Sequence, residues 1–184
     1  LKAVSGYAGT ITLDSANGVG VVPNISYSPA AAGTVGALVV RKEGSGLTDS
    51  VKLSIGSKAT AVTSVNAASV ETLTIARSGT GSLTLGATTL TDGVGTQKIV
   101  LTSAGAVVAN TFTADEIDFS GVVGAVTNLT LANTSGAAFS GGTGATTVTG
   151  SANPDVINTN SGNDVVLSSA GNDIVNTRAG DDAI

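Results

Sequence analysis

Short segments in which hydrophobic and polar residues alternate make up most of this chain, and Gly, Ser, Asn and Asp separate them. Leu73 and Ile75 show the two-residue period of a strand with one buried face. The pattern predicts strands at 35–40, 49–55, 69–76, 81–86, 97–103, 116–121, 128–133 and 146–150. Sustained helical periodicity is absent, although residues 111–118 could form one short helical turn with Thr113 as its cap. Strands joined by turns indicate either a parallel β-solenoid or a β-sandwich.

A nine-residue period runs through the last part of the chain. Its most regular member is an aspartate, found at Asp155, Asp164, Asp173 and Asp182. A large aliphatic residue follows two places after each aspartate, at Ile157, Val166, Val175 and Ile184, and Val148 extends the series one step back. Glycine lies two places before three of the aspartates, at Gly162, Gly171 and Gly180. Because one short repeat cannot bury its apolar side alone, the repeats must stack on one another, which favours the solenoid.

The change in strand spacing divides the chain into three predicted parts. Residues 35–140 have irregular spacing and are assigned to an irregular β-solenoid, and residues 141–184 are assigned to nonapeptide repeats. Residues 1–34 contain both tyrosines and two of the three prolines. They are expected to form a β-rich cap or the end of a preceding domain.

Composition narrows the chemistry open to the chain. It contains no Cys and no His, which excludes disulfides, triads that use histidine and most zinc or iron sites. The net charge is −5, but seven basic and five acidic residues give +2 over 1–110, whereas one basic and eight acidic residues give −7 over 111–184. An acidic end favours binding of cations and disfavours binding of nucleic acid. No apolar run is long enough for a membrane-spanning helix. Because the chain lacks Met and stops within a repeat, it is expected to be a fragment of a longer polypeptide.

The repeated aspartates carry the candidate chemistry. Glycine permits the positive φ of a tight turn, and the aspartate that follows offers a hard anionic oxygen of the kind Ca²⁺ prefers. A column of such corners predicts a calcium ladder. Asn-Asp and Gly-Asp are also favourable turn pairs, so a metal-free solenoid is the alternative.

The repeats resemble the RTX nonapeptide, GGxGxDxUx, in which U is a large aliphatic residue. The rows SGNDVVLSS (161–169) and AGNDIVNTR (170–178) carry the glycine two places before the aspartate, the aspartate itself and the aliphatic residue. The leading glycine pair is replaced by Thr159-Asn160, Ser168-Ser169 and Thr177-Arg178. The resemblance implies a parallel β-roll with Ca²⁺ held in its turns by the four aspartates, the three glycines above, Asn163 and Asn172. Upstream segments such as SVNAASVETLTIA (64–76) are similar to those of surface-layer proteins that Gram-negative bacteria export by type I secretion.

Two repeats make one coil of a β-roll, so residues eighteen positions apart share an edge. Asp155 and Asp173 are therefore predicted on one edge, and Asp164 and Asp182 on the other. Stacked carboxylates repel each other without an ion, which couples metal binding to folding. Extracellular calcium modules bind at about 10⁻⁴–10⁻³ M, so the chain is expected to be loose in the cytosol and to fold outside the cell.

A second acidic cluster consists of Asp115, Glu116 and Asp118. The favoured interpretation is a charged turn beside a strand that begins at Ile117. A second cation site is the alternative, and a carboxylate pair for glycoside hydrolysis is far less favoured than either.

These observations lead to one expected function and two alternatives. The chain is expected to be a non-enzymatic building block of a bacterial surface layer or extracellular fibre, with Ca²⁺ as its cofactor and identical copies as its partners. Cell-surface polysaccharide is a further candidate partner, whereas nucleic acid and membrane insertion are not expected. The alternatives are an RTX adhesin or stalk module and the export tail of a type I secreted enzyme. All of these place the protein outside the cell.

Overall fold

The computed structural model describes residues 2–3, 14–15, 24–28, 31–42, 49–91 and 95–184. Over these ranges the chain is a parallel β-solenoid, which confirms the predicted all-β class. Its strands are β1 (Lys2–Ala3), β2 (Asp14–Ser15), β3 (Asn24–Tyr27), β4 (Gly33–Lys42), β5 (Ser50–Ile55), β6 (Ala59–Ala68), β7 (Thr72–Arg77), β8 (Leu83–Thr91), β9 (Lys98–Ser103), β10 (Val107–Val108), β11 (Thr111–Thr113), β12 (Glu116–Val122), β13 (Val126–Leu131), β14 (Ala138–Ser140), β15 (Thr146–Thr149), β16 (Val156–Asn158), β17 (Val165–Leu167) and β18 (Ile174–Asn176).

The strands form two parallel sheets with the core between them. Sheet A has the order β1-β3-β5-β7-β9-β12-β14-β16-β18. Sheet B has the order β2-β4-β6-β8-β10-β13-β15-β17, and β11 also pairs with β8 and β13. One passage of the chain through both sheets is called a coil below. No helix among the described residues is long and apolar enough to cross a membrane.

Apolar side chains from successive coils stack in register inside the solenoid. In sheet A one such column contains Leu73, Ile99, Ile117, Phe139, Ile157 and Val175. In sheet B, Val148 pairs with Val166, and both are buried. The aliphatic series predicted for the repeats therefore points into the core as far as Val175, which is partly buried. Ile184 is 76% exposed and does not share that burial.

Coil length is variable in the upstream part of the solenoid and constant in the repeats. Asn24 pairs with Lys52, 28 positions later. The next coils along sheet A take between 18 and 26 positions. Ala138 then pairs with Val156, and Val156 with Ile174, each 18 positions later. The pairs of nine-residue repeats thus correspond to whole coils.

The helical turn predicted at 111–118 is wrong. Phe112 lies in strand β11, in register with Thr88 on one side and Leu131 on the other, and it is fully buried. Glu116 begins strand β12 rather than completing a helical cap. Pairing with strands on both sides and burial of the aromatic side chain outweigh the local capping signal, which is worth about 1 kcal/mol.

Strand β6 was not predicted, because its buried positions do not alternate. Ala59, Val62 and Val65 are buried at three-residue intervals, and alternation returns only near Ala67. The pairing of β6 with β4 contains a register shift near Gly33, which is typical of a bulge. A bulge moves side chains between faces and so removes the two-residue signal.

The division of the chain at residue 34 stays a prediction. Strand β3 pairs with β5 over four residues, so this described segment continues sheet A. Tyr7, Pro23 and Pro29, on which the idea of a cap partly depended, lie outside the described residues.

Candidate calcium centre

The residue directly before each strand of sheet A lies at a corner of the solenoid. These positions, called A corners here, include Gln97, Asp115, Ala137, Asp155 and Asp173. Asp155 and Asp173 occupy successive A corners, and the N–H of Asp155 donates to Oδ1 of Asp173 over 2.9 Å. Oδ1 of Asp155 accepts the N–H of Ala137 over 2.7 Å. Each carboxylate therefore binds the backbone amide at the equivalent corner of the preceding coil.

The same arrangement occurs at the edge of sheet B. Its corner positions, called B corners, are equivalent residues 18 positions apart at the start of successive strands: Thr146, Asp164 and Asp182. Oδ1 of Asp164 accepts the N–H of Thr146 over 2.7 Å, and the N–H of Asp164 donates to Oδ1 of Asp182 over 3.0 Å. The structure thus brings the four predicted aspartates together in two pairs, one on each edge. Asp164 is only 1% exposed, and its Oδ2 is buried without a hydrogen-bond partner.

Asp115 belongs to the A corners, which sequence reasoning missed. Its Oδ2 accepts the N–H of Gln97 over 2.8 Å, and its Oδ1 accepts Nδ2 of Asn133 over 2.8 Å. Asp115 lies 40 positions before Asp155, which is not a multiple of nine, because the intervening coils are not all of repeat length. Its place directly before a predicted strand was the one signal that could have identified it.

The predicted glycines have the backbone conformation that the turn requires. Gly162, Gly171 and Gly180 have φ values of 116°, 136° and 145°. A Cβ at Gly171 would lie 2.8 Å from backbone atoms of Asn153 and 2.9 Å from Oδ1 of Asp173. Only glycine fits both the positive φ and this close approach of two coils.

Asn163 and Asn172 lie on the turns with exposed side chains. Oδ1 of Asn163 accepts the N–H of Asp181, eighteen positions later, over 3.1 Å. This contact ties one turn to the next. A role of either asparagine in binding metal remains a prediction.

Glu116 and Asp118 lie on the outer face of sheet A, away from the corner occupied by Asp115. Nζ of Lys98 is 3.3 Å from Oε2 of Glu116 and 3.6 Å from Oδ2 of Asp118. The hydrogen bond to Glu116 raises the pKa of Lys98, although burial opposes the shift. Burial acts to raise the pKa of Asp118, but hydrogen bonds from Ser120 and the charge of Lys98 outweigh it, so the pKa lies below its ordinary value. These two carboxylates have Lys98 as their partner, which fits a surface ion pair.

Comparison with protein families agrees with the geometry of the last coils. Residues 140–175 and 159–184 match the RTX calcium-binding nonapeptide repeat, which is described as four copies. The match begins where the coils settle at 18 residues. The chain carries RTX repeats. Residues 140–184 are called the RTX block from here on, and repeats of this family bind Ca²⁺ and are typical of secreted, extracellular proteins. No curated protein and no solved structure matches the chain significantly.

The RTX block fits a hard cation best at the B corner of Asp164. Ca²⁺ takes six to eight oxygen ligands. Within the part of the chain that the structure describes, no group of three or more acidic side chains converges, so turn carbonyls would have to supply most of the ligands. A buried acceptor without a partner costs about 1–3 kcal/mol, and a bound cation would remove that cost at Oδ2 of Asp164. The assignment of individual ligands stays a prediction.

Proposed function

We propose that this protein is a structural, non-enzymatic building block of a bacterial surface layer or extracellular fibre. In this proposal Ca²⁺ stabilises the RTX block, and identical copies associate through the outer face of sheet B. Export by type I secretion would deliver the chain to the cell surface. The observation that carries the proposal is the absence of charged residues from the strands of sheet B that follow β4.

The outer faces of the two sheets differ in charge. Lys98, Glu116 and Asp118 lie on sheet A. Strands β6, β8, β10, β11, β13, β15 and β17 of sheet B contain no Asp, Glu, Lys or Arg. A protein with a net charge of −5 repels its copies less through these uncharged strands than through a charged surface. This favours sheet B as the surface of self-association.

Aligned small polar and apolar side chains cover the outer face of sheet B. Thr111, Thr130 and Thr149 stand in register on successive coils, and Leu167 follows them in the same column. Leu167 is 60% exposed, and Val165 beside it is 41% exposed. Such a face suits packing against a second sheet at a separation of about 10 Å.

The size of this face predicts weak contacts that act together. Six strand positions at about 4.8 Å, with about five residues at 3.3 Å each, give roughly 450 Å² per copy. A stable pair of proteins buries about 800 Å² per partner. One contact of this kind is therefore expected to be transient, whereas many contacts in a lattice or fibre can hold the assembly together.

The test is assembly of purified protein followed by light scattering and electron microscopy. Wild type is expected to form sheets or fibres in millimolar Ca²⁺ and to lose them in chelator. The double variant Thr130→Lys, Thr149→Lys should fail to assemble, although it brings the net charge closer to zero. Thr74→Lys, on the outer face of sheet A, is the matched control and should assemble like wild type.

Four results would count against the proposal. Assembly of the double variant at the wild-type calcium concentration would exclude sheet B as the contact, and assemblies that survive prolonged chelation would exclude the role of calcium. A protein that stays as single particles at high Ca²⁺ would favour the adhesin or stalk alternative. A catalytic domain in the same polypeptide would favour the export-tail alternative.

A further inference from the structure

The first turn of the RTX block that ends in an aspartate, residues 150–155, differs in backbone conformation from the aspartate turns that follow it. The later turns have a positive φ at the position of the second motif glycine, at Asn160 (72°), Ser169 (73°) and Arg178 (62°). They have it again two residues later, at Gly162, Gly171 and Gly180. The equivalent residues of the first turn are Ser151 and Asn153, and neither is among the positive-φ residues of the described chain. The first turn is therefore another kind of turn at the same place in the coil.

Ser151 uses this conformation to close the turn onto Asp155. Its N–H donates to Oδ2 of Asp155 over 2.6 Å, and its hydroxyl donates to Oδ1 over 3.1 Å. The N–H of Ala137 reaches the same Oδ1 over 2.7 Å. Both carboxylate oxygens thus face protein donors, whose positive ends stabilise an anion and repel a cation.

Little room remains around this carboxylate. Asp155 is 1% exposed and Ser151 is 8% exposed. A Cβ at Gly150 would lie 2.9 Å from Oδ2 of Asp155 and 2.3 Å from the carbonyl oxygen of Ser168. Asp164 is equally buried, but one of its oxygens lacks a partner. The Asp164 corner therefore offers a metal ion a carboxylate oxygen without a partner, whereas both oxygens at the Asp155 corner already accept hydrogen bonds.

We infer that the Asp155 corner is closed by hydrogen bonds instead of Ca²⁺, and that the calcium dependence of the RTX block begins at Asp164. Ser151 and Asp155 are four residues apart, so their contact closes a short loop at little entropic cost. The coil that contains this turn therefore stays wound in chelator. It offers the next coil a template, as expected for a structure in which each repeat contacts its neighbours.

Calcium titration of two matched variants tests the assignment. Asp164→Asn is expected to lose a bound ion or to weaken one site by about tenfold or more. Asp155→Asn should bind the same number of ions as wild type, with affinities that differ by less than about twofold, while its stability in chelator falls. Loss of an ion in Asp155→Asn would overturn the inference.

Hydrogen exchange of the wild-type protein provides a second test that does not require either variant to fold. The amides of Ala137 and Ser151 donate to Asp155 and should remain protected in chelator. The amide of Thr146 donates to Asp164 and should lose protection there, then regain it in millimolar Ca²⁺. If the amides of Ala137 and Ser151 exchange as fast as that of Thr146 in chelator, the turn at Asp155 does not close without Ca²⁺ and the inference is wrong. Neither test depends on assembly, so the surface-layer proposal can fail separately.

Discussion

Phe119 is the central ring of the aromatic group in the core, and its replacement by alanine should be severe. The side chain is fully buried, and its ring centroid lies 5.3 Å from that of Phe112 and 5.7 Å from that of Phe139. Both contacts are edge-to-face, with interplanar angles of 80° and 76°. Truncation of a buried Phe to Ala costs about 3–5 kcal/mol, and the two ring contacts place Phe119 in the upper part of that range. We expect a loss of about 4–5 kcal/mol in the free energy of unfolding.

The assay is urea unfolding followed by circular dichroism in saturating Ca²⁺. Phe119→Leu is the matched control, because it keeps most of the apolar volume and should lose clearly less than the alanine variant. The transition midpoint should fall in the order wild type, leucine, alanine. Equal losses for the two variants, or a loss under about 2 kcal/mol for alanine, would show that the rings do not pack as described.

Three further predictions concern the turns and the surface ion pair. Gly171→Ala should destabilise the RTX block by at least about 1 kcal/mol, because a Cβ cannot fit its left-handed turn. Circular dichroism during titration with chelator should show a lower midpoint for the loss of structure. An unchanged midpoint would contradict the turn geometry. Arg178→Gly should have the opposite effect and stabilise the RTX block by about 1 kcal/mol, because glycine adopts the left-handed φ of this position without strain. A loss of stability in the same titration would show that the backbone at Arg178 is not strained. The lowered pKa of Asp118 means that its hydrogen bonds from Ser120 and its pairing with Lys98 together stabilise the fold above pH 3.8. This contribution disappears as pH falls through the lowered pKa. Urea unfolding of Asp118→Asn should therefore show a deficit below about 1 kcal/mol that is constant at neutral pH and vanishes in acid, and a deficit that grows in acid would reverse the assignment.

The repeats were readable from sequence because their coils have constant length. The resemblance to a β-roll implies two repeats in each coil, so the period of nine placed Asp155 with Asp173 and Asp164 with Asp182, eighteen positions apart. The inward position of Ile157 followed in the same way. The upstream coils gave no such rule, since their corners contain different numbers of residues. Asp115 was therefore assigned to a local acidic cluster instead of to the A corners.

Other features depended on contacts that local patterns do not encode. The sequence around Thr113 satisfies a helix-capping pattern, yet Phe112 enters sheet B between two neighbouring strands. The hydrogen bonds that Ser151 donates to Asp155 could not be anticipated either, because the repeat alignment places Ser151 where the motif has a glycine. At Phe112 the outcome was decided by the strands of the neighbouring coils. At Ser151 it was decided by a contact within a single turn that the repeat motif does not contain.

The variable corners of the upstream coils suggest where foreign sequence could be carried. Residues 78–82, between β7 and β8, are all exposed, whereas the turn between β5 and β6 has three residues. Because strand pairing in this region already tolerates different corner lengths, a peptide inserted after Thr80 should leave both sheets intact and project outward. The same insertion within an 18-residue coil would displace the corner carboxylates. The protein thus accepts added sequence on one part of its length, and it requires strict spacing on the part that carries the corner carboxylates.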